Sequence, residues 1–76
     1  MKIRLETYQQ QMLALAGIHI DTAQEYSEHE VFEFLDRVYD IEVQYAQDAD
    51  ANLESKRLAR KYAAIADTIQ HQIPED

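Results

Sequence analysis

The chain contains no cysteine and no tryptophan, and only one glycine and one proline among its 76 residues. Without cysteine it has neither a disulfide nor a thiolate metal site to reinforce a small core. One glycine and one proline are too few for a series of short strands joined by tight turns. The composition therefore predicts an all-α fold, and the length corresponds to a single domain.

Long apolar runs are also missing. The most hydrophobic stretch, residues 12–18, has seven residues, whereas a membrane-spanning helix needs about 20. The glutamines at positions 9, 10 and 11 interrupt any signal-peptide pattern. Because cysteine is absent as well, we expect a cytoplasmic protein without a membrane anchor.

Positive charge is scarce and unevenly placed. Seven Lys and Arg side chains face fifteen Asp and Glu, which gives a net charge of −8. Such a chain, taken whole, is unsuited to naked nucleic acid or to anionic membranes. Residues 21–55 carry eleven acidic side chains and one basic side chain, and four basic residues follow between positions 56 and 61. The sequence thus has an acidic middle and a small basic cluster.

A first helix is predicted over residues 3–16. Its apolar residues recur at the spacing of one helix face, and we expect these to face the core: Leu5, Tyr8, Met12 and Leu15. Leu13 and Ala16 widen this stripe. Gly17 follows the last of them, at the position where a helix commonly ends with a positive φ.

The segment after Gly17 is ambiguous between loop, short helix and short strand. We interpret residues 17–26 as a connector that fixes Ile18 and Ile20 on the core, because an isolated strand would have no partner. Ser27 and Glu30 form an S-x-x-E capping box, which predicts the start of a second helix spanning residues 28–47.

A break near residues 48–52 follows from the phase of the apolar residues. No glycine or proline separates residues 27 and 74, but the apolar stripes of 31–45 and 58–73 centre on roughly opposite sides of a continuous helix. We therefore predict a third helix over residues 53–73, capped by Asp50 or Asn52 and ended by Pro74. The result is a small three-helix bundle with a helical hairpin formed by helices 2 and 3.

The second helix is apolar over about 200° of arc, which is wider than a typical surface helix. It is therefore either the central helix of the bundle or part of a homodimer interface. Glu42 falls inside this arc and should have a partner, such as a Tyr hydroxyl, Arg4 or Arg57, unless it lies at the edge of the core or meets another polypeptide.

The acidic residues of the second helix follow a helical spacing. Glu33, Asp36 and Asp40 step by three and four residues, so they share one face, opposite the apolar one. This face is either a solvated surface or a docking surface for a basic partner. The candidate partner-binding residues are Glu25, Glu28, Glu30, Glu33, Asp36, Tyr39, Asp40 and Glu42.

A secondary, basic patch is predicted on the third helix. Its residues, opposite the apolar face of that helix, are Lys56, Arg57, Arg60 and Lys61. Cations in the first turns oppose the helix dipole. We therefore expect them to pair with acidic groups of the connector, of helix 2 or of a second copy; contact with phosphates is the alternative.

Patterns that carry catalysis or bind metals are weak in this chain. Asp48, Asp50 and Asn52 resemble the opening of a calcium-binding EF-hand loop, but Leu53 and Ala59 occupy the positions of its glycine and glutamate. The histidines are scattered, without metal-ligand spacing: His19, His29 and His71. We expect no enzymatic activity, no cofactor and no metal.

These features favour a non-catalytic protein-binding module that occupies a basic, nucleic-acid-binding surface of a partner protein. In size, charge and helicity the chain is similar to small phage-encoded inhibitors of host defence, such as anti-CRISPR and anti-restriction proteins. The likeness is one of composition and includes no motif. A homodimeric structural or regulatory protein is one alternative. The other is a small helix-turn-helix regulator that reads DNA with residues 53–73.

Overall fold

The computed structural model describes residues 1–74 and confirms the all-α three-helix bundle. Its helices are α1 (Thr7–Leu15), α2 (Glu28–Gln47) and α3 (Leu53–Gln70), and no strand occurs in the described range. Helices α2 and α3 pack along each other as the predicted hairpin. Among these residues, no helix has both the length and the apolar character needed to cross a membrane.

The start of α2 is set by local chemistry. The Ser27 Oγ accepts a hydrogen bond from the Glu30 backbone N–H, at 3.2 Å, and Glu30 Oε1 accepts one from the Ser27 N–H, at 3.1 Å. Tyr26 and Val31, on either side of the cap, are both buried in the core. The capping box and the apolar pair around it therefore fix the N-terminus of α2 at the predicted residue.

The turn between α2 and α3 lies where the phase change places it, at residues 48–52. Asn52, and not Asp50, is the N-cap of α3: its Oδ1 accepts a hydrogen bond from the Glu54 backbone N–H at 2.9 Å. The buried Ser55 hydroxyl donates to Asp48 Oδ2 at 2.8 Å and so ties α3 to the turn.

Helix α3 ends at Gln70, three residues before the predicted end. The next backbone N–H groups, of Gln72 and Ile73, bond to carbonyls three residues earlier, which is turn geometry. Pro74 has no N–H to donate to the Gln70 carbonyl, and Ile73 before it is disfavoured in the α region, so the helix cannot continue through these residues.

Helix α1 begins at Thr7, so the predicted start at residue 3 is wrong. Residues 1–6 are not helical, and Ile3 within them is fully buried. The Gln72 side chain holds this segment: its Oε1 accepts from the Arg4 N–H at 2.6 Å, and its Nε2 donates to the Arg4 carbonyl at 2.7 Å. A contact between the two ends of the described chain thus replaces the first helical turn.

The buried face of α1 also differs from the prediction. Leu15 is 87% exposed and Tyr8 is 56% exposed, against the prediction, and Gln9 is buried without having been predicted to be. Leu13, which was predicted to widen the stripe, is buried as expected. Leu13 is held inside by the end of the helix, where its carbonyl accepts from the Ile18 N–H at 2.9 Å. Of the predicted stripe, Leu5 and Met12 are only half-buried.

The predicted end of α1 at Gly17 is confirmed. Gly17 has a φ of 81°, and its N–H bonds to the Ala14 carbonyl at 3.0 Å. Together with the bond from Ile18 to Leu13, this is a Schellman motif. Ile18 and Ile20 of the connector are buried, as expected.

Side-chain contacts join α1 and the connector to the hairpin. The Tyr62 hydroxyl of α3 donates to the Met12 carbonyl of α1 at 2.8 Å, and Arg37 Nη2 of α2 donates to the Gly17 carbonyl at 2.9 Å. Within the hairpin, Tyr45 stacks on Tyr62 with ring centroids 5.8 Å apart. These contacts enclose one continuous core between the three helices.

Candidate functional site

The outward face of α2 carries the predicted acidic residues. Glu33, Asp36 and Asp40 are exposed, while Leu35 and Val38 on the opposite side are buried at 4% and 0% exposure. This arrangement confirms the predicted orientation of α2. Glu33 and Asp40 are seven residues apart, which places their Cα atoms about 10 Å apart along the helix axis.

Within residues 1–74, none of these three carboxylates pairs with a lysine or arginine. Glu33 Oε1 lies 3.1 Å from His29 Nε2, and both side chains are largely exposed. Asp36 and Asp40 form no ion pair in the described part of the chain. The only lysine or arginine of α2, Arg37, instead donates to the carbonyl at the end of α1. The acidic face therefore keeps its negative charge.

The acidic residues near the start of α2 have mixed roles. The Glu30 side chain accepts from the backbone N–H that precedes the helix, so it has a structural function. Glu25 lies 3.1 Å from the Met1 amino group. Glu28 is exposed in the first turn, where the helix dipole favours a negative charge. Of the predicted binding residues in this region, Glu28 is the one without a structural partner among the described residues.

A row of exposed apolar side chains lies beside the acidic face. Phe32 is 50% exposed, Tyr39 38% and Val43 52%. We call these three residues the apolar stripe. Tyr39 was expected at an interface, but Phe32 and Val43 were not singled out. The wide apolar arc of α2 is the sequence feature that could have indicated Phe32 and Val43, because α1 and α3 bury only part of the apolar surface of α2.

Glu42 is half-buried at the edge of the core. Its carboxylate forms no hydrogen bond or ion pair with any described residue, so neither a Tyr hydroxyl nor Arg4 or Arg57 is its partner, and its half-buried position agrees with the alternative of a side chain at the edge of the core. Glu42 is accessible enough to remain hydrated, which explains how the position tolerates a carboxylate in an otherwise apolar arc.

The basic patch of α3 is exposed, and its expected pairing within the chain is wrong. None of its four cations forms an ion pair in the described range: Lys56, Arg57, Arg60 and Lys61. The reason is the direction of the helix faces. Ala59 and Tyr62 occupy the side of α3 that faces the core, so the cations point away from α2 and its carboxylates.

The Tyr62 side chain of α3 is buried in the core. Burial raises the pKa of its hydroxyl, and the neighbouring phenol of Tyr45 adds to the effect. Because this hydroxyl donates to the Met12 carbonyl, its role is to connect α1 with α3.

The surface also has an open groove between α1 and the connector, about 480 Å³ in volume, lined in part by Gln10, Ile18, His19 and Tyr26. Among residues 1–74, no three His, Cys, Asp or Glu side chains lie close enough together to hold a metal ion. The EF-hand-like residues 48–52 form the turn between the hairpin helices.

Comparison of the chain with protein-family models, with curated proteins and with solved structures finds no match. Its function is therefore inferred from its own surface, and above all from the outward face of α2.

Proposed function

We propose that the chain is a non-catalytic protein-binding module that docks through the outward face of α2 onto a basic surface of a partner protein. The supporting observation is the set of exposed carboxylates of Glu33, Asp36 and Asp40, which have no lysine or arginine partner in the described chain. An uncompensated negative face attracts a positive one, speeds association and makes the complex sensitive to salt.

The partner surface is of the kind that binds nucleic acid. Such surfaces carry Lys and Arg that contact phosphates. Along the axis of α2, Glu33 and Asp36 are separated by about 4.5 Å, and Asp36 and Asp40 by about 6 Å. The phosphates of a DNA strand recur every ~3.4 Å along the axis, so the carboxylates are spaced more widely than successive phosphates, but by less than a factor of about two. Occupation of the partner by α2 would then exclude nucleic acid, which makes the chain an inhibitor of the DNA-mimic type.

A pair of charge-matched variants tests this function. Asp36→Lys with Asp40→Lys reverses the centre of the acidic face, and Asp50→Lys with Glu54→Lys makes the same change in net charge at the hairpin turn. We expect the first variant to bind the partner about tenfold more weakly or worse, and the second to retain most of its affinity. The partner is first identified by a pulldown from the source cell, and affinity is measured by titration calorimetry.

If the Asp36 and Asp40 variant binds as tightly as the unmodified chain, the acidic face is not the docking surface. The inhibitory part is tested separately, by adding the chain to a preformed complex of the partner with nucleic acid. Release of the nucleic acid is expected; a ternary complex would contradict mimicry.

A second candidate function is a small DNA-binding regulator that uses α3 as its reading helix. The observation that favours it is the exposed basic patch, whose cations have no acidic partner among the described residues. The net charge of −8 opposes it. A mobility-shift assay with mixed-sequence DNA at low salt decides, because phosphate-dependent binding must fall steeply as salt is added.

A further inference from the structure

The apolar stripe of α2 adds information about the shape of the partner. We propose that the stripe binds a basic amphipathic helix of the partner protein. This inference rests on the proposed function and specifies which element of the partner is bound. Phe32, Tyr39 and Val43 are 50%, 38% and 52% exposed, and they lie beside the carboxylates of Asp36 and Asp40, which form no ion pair among the described residues.

The spacing of the stripe suits a helix as the occupant. Phe32, Tyr39 and Val43 step by seven and four residues, a spacing found in the seam between two packed helices, and Asp36 occupies the position of the same face between Phe32 and Tyr39. The seam extends about 16 Å along α2, or three turns. A partner helix aligned with it would present apolar anchors over two to three turns, as in other helix-in-groove complexes.

Tyr39, at the centre of the stripe, is held in place by a hydrogen bond within the chain. The Tyr39 hydroxyl donates to Gln70 Oε1 at 2.8 Å, so the ring is held between α2 and α3 before a partner arrives. A side chain fixed in this way loses little conformational freedom on binding, which favours affinity. Aromatic residues with an exposed ring are also the type most often found at the energetic centre of an interface.

Charge selects a basic helix over a second copy of this chain. At 100° per residue, Glu33 and Asp40 lie about 80–100° to one side of Phe32, and Glu42 lies about 80° to the other. The stripe is therefore bordered by carboxylates on both sides. An apolar helix face bordered by Lys and Arg matches this pattern, whereas a second α2 would bring carboxylates against carboxylates.

Glu42 is the carboxylate of α2 for which such a partner would supply a missing ion pair. It is half-buried and has no hydrogen bond or ion pair in the described chain. A cation on the edge of the incoming helix would supply the missing partner, and the pairing would take place in a partly desolvated environment, where charged hydrogen bonds are stronger.

Two synthetic peptides of identical Leu and Lys composition test the proposal. One places Leu at the i, i+3, i+4 and i+7 positions of a helix, and the other has the same residues in scrambled order. We expect the chain to bind the amphipathic peptide at least about tenfold more tightly, with chemical-shift changes concentrated on α2. Equal affinity for the two peptides would show that charge alone drives binding and would overturn the proposal.

Substitutions in the stripe provide the second arm. Phe32→Ser with Val43→Ser should weaken binding of the amphipathic peptide about tenfold or more. Leu15→Ser is the matched control, because Leu15 is 87% exposed on a different helix, and it should leave the affinity unchanged. Circular dichroism verifies that each variant retains its helices.

The outcomes separate this inference from the proposed function. One outcome is that the Phe32 and Val43 variant keeps its affinity while Asp36→Lys with Asp40→Lys loses binding. This outcome overturns the proposed binding of a helix by the stripe and leaves the acidic docking face intact. The reverse pattern overturns both the basic partner and the proposed function. Sedimentation of the chain alone is the third measurement: concentration-dependent association abolished by the stripe substitutions would identify a second copy as the occupant and refute the proposal.

Discussion

Replacing Tyr62 with phenylalanine removes one buried oxygen from the core and tests how α1 is held. Tyr62 is 4% exposed, and its hydroxyl donates to the Met12 carbonyl at 2.8 Å. That carbonyl is one of the last four of α1, and these carbonyls have no N–H donor within the helix. The phenylalanine ring can still stack on Tyr45, so the change isolates the hydrogen bond.

The expected loss of stability follows from two contributions. A net hydrogen bond contributes about 1 kcal/mol, and a buried carbonyl left without a donor costs about 1–3 kcal/mol unless water replaces the hydroxyl. We therefore expect Tyr62→Phe to lower the free energy of unfolding by about 1–2 kcal/mol. In a domain of this length, that corresponds to a fall in Tm of about 4–16 °C.

Thermal and urea unfolding, followed by circular dichroism, measure the effect. Tyr8→Phe is the matched control, because Tyr8 is 56% exposed and its hydroxyl makes no hydrogen bond with a described residue; it should change stability by less than about 0.5 kcal/mol. If the two variants unfold at the same temperature, the Tyr62 hydroxyl does not hold α1 to α3 and the reasoning is refuted.

We expect the free energy of unfolding to fall at high pH because of the Tyr62 hydroxyl. Burial raises the pKa of Tyr62 above its ordinary value of 10.0, so the folded chain keeps a proton that the unfolded chain has begun to lose. The contribution is fully present below pH ~10 and declines as the pH rises above that value. Tyr62→Phe should show a shallower decline over this window. Parallel stability curves for the two chains would contradict the role of Tyr62.

Three further substitutions test the ends of the helices. Ser27→Ala should destabilise the chain by about 1 kcal/mol through loss of the α2 cap; unchanged stability would mean that the cap is dispensable. Gly17→Ala should lower the free energy of unfolding by about 1–2 kcal/mol. The positive φ is the whole cause, because no atom lies within 4 Å of the added Cβ. A loss below about 0.5 kcal/mol would show that the backbone relaxes. Gln72→Ala should speed hydrogen exchange at the Arg4 amide, and equal exchange rates would show that the Gln72 side chain does not hold residues 1–6.

The hairpin could be predicted from sequence because several local signals agree there. The capping box at Ser27, the reversal of apolar phase and the cap at Asn52 each act within a few residues of the chain. Their agreement placed α2 at its observed bounds and α3 at its observed start. The end of α3 could not be located as well, since the residues before Pro74 form turns that have no distinct sequence pattern.

Helix α1 was harder to predict because distant contacts decide its start. Glu6 and Gln9 form its capping box, but Glu is not among the preferred N-cap residues, so the pattern did not indicate a start. The extended path before it depends on Gln72, 68 positions from Arg4. Apolar residues on several sides of α1 also fit more than one buried face: Leu13 is buried as predicted, whereas Tyr8 and Leu15 of the same predicted stripe are exposed.

For the candidate site, helical spacing predicted exposure better than it predicted pairing. The acidic residues Asp36 and Asp40 are exposed as their spacing implied. The width of the apolar arc indicated surplus apolar surface but not which edge would stay uncovered, because that depends on where α1 and α3 lie. Acidic partners were expected for the basic patch because its cations oppose the dipole of α3, but these cations lie on the face of α3 opposite the core and away from the carboxylates of α2.

The bond between Arg4 and Gln72 has a topological consequence. It brings the first and last parts of the described chain side by side, so the backbone nearly closes into a ring. A ring of this kind can be opened elsewhere: the turn at residues 48–52 is largely exposed, the type of position at which circular permutation is tolerated. We therefore expect the three helices to pack in the same way in a circular permutant that is opened at this turn.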